Sequence, residues 1–262
     1  MGVPVVQVRR AAKAFEDGTR AIDEVSLALA DNEFVSLIGP SGCGKSTLLR
    51  LIAGLAAPSA GEIDWWGSPS RDTPASRQQV VFVFQSPTLM PWARVAENVR
   101  LPLELKSVPR VEIAARVAQA LKIVGLDGFE RHYPHQLSGG MRMRVSIARA
   151  LVNEPRLLLM DEPFGALDEI TRHRLDEQLM HLWLERRFSA LFVTHSIYEA
   201  VYLSTRVLVM SARPGRIVGE VPIDEPFPRS AGFRVTERFA HHCADVMRLL
   251  AAADQPADVA LG

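Results

Sequence analysis

Short apolar runs bounded by turn residues recur along the chain, and segments with an apolar residue every three or four positions lie between them. The runs predict buried or half-buried strands, and the segments predict amphipathic helices. Because the two kinds alternate, we expect an α/β fold. The predicted strands are residues 5–9, 22–29, 33–38, 61–67, 80–84, 157–160, 191–194, 206–211 and 216–221.

The predicted helices divide the chain into parts of different character. Residues 86–151 combine an irregular apolar cluster with helical spacing, which predicts a mostly helical insertion in the sheet domain. We expect this domain to span residues 1–222, followed in residues 223–262 by a proline-rich linker, a helix and a frayed tail. The predicted helices are residues 45–53, 111–124, 142–151, 169–187 and 233–252.

An apolar cluster near the start of the insertion has two interpretations. It contains Leu89, Met90 and Trp92. The simpler interpretation is that these side chains form the core of the insertion itself. The alternative is an exposed surface that docks a partner protein, since methionine and tryptophan are enriched at interfaces.

Composition narrows the classes of function. The chain of 262 residues carries 30 basic and 30 acidic side chains, so its formal net charge is zero. A nucleic-acid partner would be indicated by a basic excess, which this sequence lacks. Its 2 cysteines favour a reducing, cytosolic compartment. We expect no signal peptide and, without a run of about 18 apolar residues, no membrane span, so a role at a membrane would require a membrane partner.

A glycine-rich turn joins predicted strand 33–38 to predicted helix 45–53, and it matches the phosphate-binding loop. Its glycines let backbone N–H groups converge on phosphate oxygens, and the helix N-terminus adds partial positive charge. Lys45 can reach the β- and γ-phosphates, and the Ser46 hydroxyl can hold Mg²⁺. The loop consists of Gly39, Pro40, Ser41, Gly42, Cys43, Gly44, Lys45, Ser46 and Thr47.

Polar side chains follow three further predicted strands, at the positions where ligands bind in open α/β sheets. Gln85 can contact Mg²⁺ or an attacking water. Asp161 can hold the water shell of Mg²⁺, and Glu162 can accept a proton from the attacking water. We expect His195 to contact the γ-phosphate. The alternatives are an acidic pair that caps a helix and a histidine with a structural role.

Two further positions have functional interpretations. Phe15 follows the first predicted strand and either packs in the core or stacks on an adenine ring. Ser138, Gly139 and Gly140 stand at a predicted helix start and have the composition of a second anion site. Two such helix starts exceed what one small ligand needs. A dimer in which each nucleotide is held by one loop from each subunit accounts for both.

The ordered set of motifs resembles the ATP-binding subunit of ABC transporters. This resemblance extends from about residue 5 to residue 221 and implies a P-loop NTPase (RecA-like) fold. That fold has a mixed sheet core, an N-terminal antiparallel β part and an inserted α-helical subdomain. The motifs are the phosphate loop, Gln85, Leu-Ser-Gly-Gly at 137–140, Leu-Leu-Leu-Met-Asp-Glu at 157–162, Gly-Ala-Leu-Asp at 165–168 and Thr-His at 194–195.

The resemblance implies catalytic and binding roles. Residues 39–46 would be the Walker A loop, and Asp161 would be the Walker B aspartate. Glu162 would be the general base for ATP hydrolysis, and His195 would be the switch histidine. Phe15 would stack on adenine, at a position where tyrosine is commoner in the family. ATP and Mg²⁺ would be the ligands.

The resemblance also implies a head-to-tail dimer of two such chains. Ser138 and Gly140 of one subunit would contact the γ-phosphate bound by the other, and Asp168 would lie across the interface. The further partners would be membrane permease subunits and, indirectly, a solute-binding protein, with no nucleic acid. This chain would then lie at the cytoplasmic face of the bacterial inner membrane.

Several departures from the commonest family pattern resemble the branch that imports nitrate, sulfonates and taurine. Met141 follows the two glycines where glutamine is commoner, and residues 90–92, 194–197 and 210–216 also resemble this branch. Met143 replaces a second usual glutamine, and we expect it to alter packing without loss of activity. The resemblance therefore implies an ATPase that powers import of a small anionic solute.

Two other classes of function stay open as alternatives, besides the weaker option of a small-molecule phosphotransferase, for which the sequence identifies no acceptor-substrate pocket. One is a soluble ABC ATPase that acts on nucleic acid or ribosomes, but such proteins usually carry a second ATPase unit or a long coiled-coil insertion. The other is a regulatory module that binds ATP without turnover, against which Asp161, Glu162 and His195 all argue. Measuring ATP hydrolysis separates the second alternative from an enzyme.

Overall fold

The computed structural model describes residues 2–68 and 79–253, and it has the predicted α/β architecture. Its strands are β1 (Val6–Ala14), β2 (Arg20–Leu29), β3 (Phe34–Ile38), β4 (Ala60–Trp65), β5 (Val80–Val83), β6 (Leu157–Asp161), β7 (Ser189–Val193), β8 (Arg206–Met210) and β9 (Ile217–Pro222). Its helices are α1 (Lys45–Ile52), α2 (Val95–Leu105), α3 (Arg110–Ile123), α4 (Gly139–Leu151), α5 (Glu169–Arg186), α6 (Ile197–Leu203) and α7 (Glu237–Ala253).

The main sheet has the strand order β5-β6-β7-β3-β8-β9. All neighbours pair in parallel except β8 and β9, which form the predicted hairpin. Every residue of β3, β6 and β7 is buried, as expected for parallel strands covered on both faces. Since parallel strands end at the same edge, this sheet brings together the residues that follow β3, β5, β6 and β7.

A second, antiparallel sheet of order β2-β1-β4 forms the predicted N-terminal β part. Its inner face includes Val6 and Val8, which share an apolar cluster with Leu48 and Leu49 of α1. Helix α1 therefore lies between the two sheets. The residues that precede α1 are held by packing on both sides, which fixes the position of the glycine-rich loop.

The predicted helical insertion is confirmed, but it contains helix α2, which the apolar spacing did not predict. Helix α2 packs on α3 and α4. Asn98 of α2 is buried and holds the preceding loop, because its side chain accepts from Met90 N at 2.8 Å and donates to the Met90 and Ala93 carbonyls. This anchoring leaves Trp92 76% exposed. The core interpretation is therefore wrong for Trp92, although Leu89 does pack on the core.

The C-terminal segment differs from the predicted continuous helix 233–252. A 3₁₀ turn (Ala231–Val235) comes first, and α7 begins only at Glu237. Thr236 has extended backbone angles and its hydroxyl accepts a hydrogen bond from Phe239 N at 3.2 Å, so it separates the two elements. The predicted tail lies outside the described residues. Within residues 2–68 and 79–253, no helix is long and apolar enough to cross a bilayer.

Candidate nucleotide-binding site

The glycine-rich loop connects β3 to α1 through a turn that depends on Gly44. This residue has a φ of 106°. A Cβ atom on it would lie 2.6 Å from the carbonyl oxygen of Ala21 in β2. Glycine tolerates both the left-handed backbone and the close approach, whereas any other residue would shift the loop. The loop therefore leads directly into the first turn of α1, whose N–H groups have no partner within the helix.

Lys45 is the first residue of α1 and is buried. Its Nζ atom donates to the carbonyl oxygens of Gly39 at 2.7 Å and Pro40 at 2.9 Å. The ammonium group therefore lies inside the curve of the loop, where it supports the loop and adds positive charge. Cys43 is also buried, with its sulfur 3.9 Å from Lys45 Nζ.

Ser46 meets the acidic residue at the end of β6. Its hydroxyl donates to Oδ1 of Asp161 at 2.9 Å, although 115 residues separate the two in sequence. Burial raises the pKa of Asp161, the hydrogen bond from Ser46 opposes this, and the neighbouring Glu162 adds to it. A hydroxyl and a carboxylate that converge beside a phosphate loop are oxygen donors of the kind that Mg²⁺ prefers.

Glu162 adjoins both Gln85 and His195, as the shared sheet edge predicts. Its Oε2 atom lies 3.4 Å from Gln85 Nε2 and 3.2 Å from His195 Nδ1. The backbone of Glu162 has a φ of 46°, a conformation that costs energy for a residue with a side chain and that recurs at functional sites. The three side chains that follow β5, β6 and β7 thus form one cluster.

Gln85 and Glu162 of this cluster border one cleft together with the phosphate loop, whereas His195 contacts Glu162 but does not itself line that cleft. Phe15 borders it too and is 48% exposed, so the interpretation of Phe15 as a core residue is wrong. The predicted site residues that line the cleft are Phe15, Ser41, Gly42, Gly44, Lys45, Ser46, Thr47, Gln85 and Glu162.

Arg213 is a cleft residue whose contribution sequence reasoning missed. It lies in the turn between β8 and β9, and its Nε atom donates to the Gly42 carbonyl at 3.1 Å. The neighbouring Gly215 packs on the same loop, since a Cβ atom there would lie 2.1 Å from the Cys43 carbonyl oxygen. The proximity of this turn to the loop could not be read from spacing, because it follows from the pairing of β3 with β8.

The second predicted anion site does not line this cleft within the described residues. Ser138 caps α4, and its hydroxyl accepts from Met141 N at 3.2 Å. Asp168 caps α5, where the hydrogen bond from Thr171 N lowers the pKa of its carboxyl group. A Cβ atom on Gly140 would lie 2.6 Å from Cδ2 of Leu167, so the two motifs are in contact. Met143 is buried in the helical insertion.

A parallel strand, a glycine-rich loop and a helix, with a carboxylate beside the loop serine, define a nucleotide-binding protein of the P-loop class. The sequence profile described as ABC transporter matches residues 22–165 of this chain. The chain belongs to the ABC transporter family and is one of its ATP-binding subunits, which hydrolyse ATP.

Relatives in sequence match most of the chain. The uncharacterized ABC transporter ATP-binding protein MJ0412 of Methanocaldococcus jannaschii is 46% identical over 248 residues, which cover 94% of this chain and 91% of the relative. The aliphatic sulfonates import ATP-binding protein SsuB of Bacillus cereus is 45% identical over 228 residues, which cover 86% of this chain and 88% of the relative.

Solved structures agree with the family assignment. The dimeric structure of MJ0796, described as a bacterial ABC transporter cassette, superimposes with a TM-score of 0.77 at 34% identity, covering 84% of this chain and 100% of that one. A second structure of MJ0796, in a post-hydrolysis state bound to ADP and phosphate, has the same TM-score, identity and coverage. The predicted P-loop fold is therefore confirmed.

Proposed function

We propose that this protein hydrolyses ATP in order to drive a membrane importer of a small anionic solute. The observation that carries the proposal is the cluster of Glu162, His195 and Gln85 at the sheet edge beside the phosphate loop. A carboxylate and an imidazole placed together next to a phosphate site can orient and deprotonate a water molecule. Hydrolysis follows when that water is in line with the γ-phosphate.

Mg²⁺ fits the donors beside the loop. Ser46 and Asp161 would hold it. Gln85, whose amide nitrogen lies next to Glu162 at the same edge of the sheet, would be a further contact. No cluster of three or more histidine, cysteine or acidic side chains forms a metal site in the described part of the chain. That fits an ion that relies on one carboxylate, a hydroxyl, water and substrate phosphates. When bound, Mg²⁺ would neutralise charge on the β- and γ-phosphates.

The residues of the chain have separate tasks in the proposed reaction. Glu162 accepts a proton from the attacking water, and His195, in direct contact with Glu162, contacts the γ-phosphate and helps to position that water. Lys45 contributes positive charge to the transferring phosphoryl group, since its ammonium already lies within the loop. Preorganised charge of this kind is usually the largest contribution to phosphoryl transfer. Phe15 offers an exposed ring on which the adenine stacks.

A second copy of the chain completes each site. Ser138 and Gly140 of the second subunit approach the γ-phosphate through the N-terminus of α4, and Asp168 lies across the interface. Supporting this arrangement, neither motif lines the cleft of its own chain within the described residues. The γ-phosphate then bridges two subunits, and hydrolysis removes the bridge. Closure and opening of the dimer are the movement that the transporter uses.

The permease contact is proposed for the loop that carries Trp92. This side chain is 76% exposed, and Asn98 holds the loop from beneath, so it forms a rigid apolar projection on the helical insertion. Such projections are typical anchors at protein interfaces. The ATPase domain of residues 1–222 would then lie at the cytoplasmic face of the cell membrane, bound through the permease, with residues 223–262 as an appended C-terminal unit.

The solute class rests on the relatives. The SsuB protein of Bacillus cereus is named for import of aliphatic sulfonates, and its similarity to this chain covers both the nucleotide site and the helical insertion. A solute of the nitrate, sulfonate or taurine kind is therefore proposed, delivered to the permease by a solute-binding protein.

Affinity capture tests the transporter assignment. Tagged protein is recovered from gently solubilised native membranes, and the proteins that co-purify are identified by mass spectrometry. Recovery of a multi-span permease supports the proposal, and the binding protein encoded beside it can be screened with sulfonates, taurine and nitrate. Recovery of ribosomes or of soluble partners alone would overturn the importer assignment.

A further inference from the structure

An ion pair beneath the catalytic cluster is not part of the site described above. Glu199 of α6 and Arg172 of α5 face each other, with Oε1 and Nε 3.3 Å apart. The side chain of Glu199 is 5% exposed and that of Arg172 is 22% exposed. Neither of these two atoms has a hydrogen bond of ordinary geometry among the described residues, so each depends on the charge of the other.

Glu199 holds the loop that carries His195. Its Oε2 atom accepts a hydrogen bond from the hydroxyl of Thr194, the residue immediately before His195. The same hydroxyl accepts from Ser196 N at 2.9 Å, and the Ser196 hydroxyl accepts from Glu199 N at 3.3 Å. His195 therefore stands on a closed ring of hydrogen bonds whose charged member is Glu199.

Arg172 holds the turn on the other side of Glu162. Its Nη2 atom donates to the carbonyl oxygen of Leu167 at 3.0 Å. Leu167 is buried next to Asp168, and its side chain occupies the space that a Cβ atom on Gly140 would need. Arg172 thus fixes the turn that contacts the glycine motif at the start of α4.

We propose that Arg172 and Glu199 form a link that positions His195 relative to the Leu167–Gly140 contact. The inference rests on the proposed function, in which His195 serves the nucleotide of its own subunit and Gly140 serves that of the other. Each end of the link belongs to a different ATP site of the dimer. A displacement at one motif is transmitted through the Arg172–Glu199 ion pair to the other motif, which couples the two sites.

The structure predicts which kinetic constant should change when the link is broken. Neither Arg172 nor Glu199 lines the cleft, so breaking the link leaves the phosphate-binding groups in place. What changes is the position of His195, and a displacement of about 1 Å at a reacting group can cost about a hundredfold in rate. We therefore expect a loss in kcat with little change in the KM for ATP.

The test uses the full-length protein with Mg²⁺ and ATP. Glu199→Gln keeps the shape of the side chain and an acceptor for Thr194, but removes the charge that faces Arg172. Arg172→Met removes the other half of the link. We expect each variant to lower kcat about tenfold, with a KM for ATP within about twofold of the original. The double variant should be no slower than either single variant, because the link is broken only once.

Glu33→Gln is the matched control. Glu33 pairs with Arg206 at 2.7 Å, and the Arg206 side chain is 22% exposed, as that of Arg172 is. Glu33→Gln should lose about as much thermal stability as Glu199→Gln does, but its kcat should stay unchanged. Should Arg172→Met fail to fold, the isosteric Glu199→Gln still decides the question.

Two results would overturn the link. One is an unchanged kcat in a folded Glu199→Gln variant, and the other is multiplication of the two single effects in the double variant. Glu162→Gln, assayed in parallel, separates this outcome from failure of the proposed function. If Glu162→Gln abolishes hydrolysis while Glu199→Gln leaves kcat unchanged, the active-site assignment stands and only the link fails.

Discussion

The Nδ1 atom of His195 lies 3.2 Å from Oε2 of Glu162, although 33 residues separate them in sequence. The contact exists because β6 and β7 are parallel neighbours that end at the same edge of the sheet. It places a carboxylate and an imidazole side by side next to the phosphate loop. The proposed mechanism depends on this pair, and the predictions below follow from it and from the packing around it.

Gly215→Ala tests the packing of the β8–β9 turn on the phosphate loop. The added Cβ atom would lie 2.1 Å from the Cys43 carbonyl oxygen, so the turn or the loop must move. We expect about 1–3 kcal/mol of lost stability, as for other overpacked sites, together with weaker ATP binding. Thermal unfolding and nucleotide titration measure the two effects. Gly232→Ala is the control, since its Cβ would be 3.5 Å from the nearest atom, Ser230 Oγ. Unaltered ATP affinity in Gly215→Ala would contradict the assigned packing.

Arg213→Ala tests the basic side chain that sequence reasoning missed. Its guanidinium group lies on the rim of the cleft, bonded to Gly42, where it adds positive charge near the expected phosphates. We expect the affinity for ATP to fall about threefold to tenfold, which corresponds to about 0.7–1.4 kcal/mol, the net size of a typical hydrogen bond. Arg248→Ala, on the exposed surface of α7, should leave the affinity unchanged. If the two variants bind ATP with equal affinity, Arg213 does not contribute to nucleotide binding.

The buried carboxyl group of Asp176 should make the stability of the protein depend on pH. Burial raises the pKa of this carboxyl group, the charge of Glu199 adds to this, and the ion pair with Arg234 opposes it; the resulting pKa is about 7. Because the folded protein favours the protonated carboxyl group, the stabilising effect is complete below the ordinary pKa of about 4 and is lost as the pH rises through about 7. Asp176→Asn removes this titration. The difference in thermal midpoint, variant minus original, should therefore rise between about pH 5 and about pH 8. A constant difference would show that Asp176 does not titrate in this range.

Trp92→Ala tests the docking surface. We expect binding to the permease to weaken by about 2 kcal/mol, the size of an interface hot spot, while ATP hydrolysis by the isolated subunit stays unchanged. Quantitative pull-down and an ATPase assay measure the two properties. Leu105→Ala is the control, because Leu105 is 79% exposed on the same helical insertion but lies at the far end of α2. Equal recovery of the permease with both variants would place the contact elsewhere.

Much of the fold and of the site follows from local pattern. Buried strands, the glycine-rich loop and the polar residues after each strand can all be recognised from the sequence alone. Because the strands end at one edge of the sheet, Gln85, Glu162 and His195 then come together. The position of Trp92 could not be predicted, because it depends on the hydrogen bonds of Asn98. Arg213 was missed for a similar reason, since only the β3–β8 pairing brings its turn to the loop.

The C-terminal segment shows the limit of apolar spacing. Phe233 and Phe239 fit one helical face, yet Thr236 separates a 3₁₀ turn from α7 between them. The two rings still meet, edge to face, with their centroids 5.1 Å apart. Periodicity identified the buried residues but not the backbone that connects them, because a threonine hydroxyl can cap a new helix within a continuous apolar pattern.

Glu162→Gln gives the most direct test of the central claim that this chain hydrolyses ATP as a dimer. The substitution keeps the shape of the side chain but removes its ability to accept a proton. We expect turnover to fall by at least about a hundredfold, the lower range for loss of a general base, while ATP binding is retained.

The decisive measurement combines an ATPase assay with light scattering in the presence of Mg²⁺ and ATP. Glu162→Gln should shift from monomer to a long-lived dimer when ATP is added. The control Glu185→Gln, at an exposed position with a 68% exposed side chain, should hydrolyse ATP like the original protein. Undiminished turnover by Glu162→Gln would contradict the account. So would a molecular mass that stays at the value of a monomer after ATP is added.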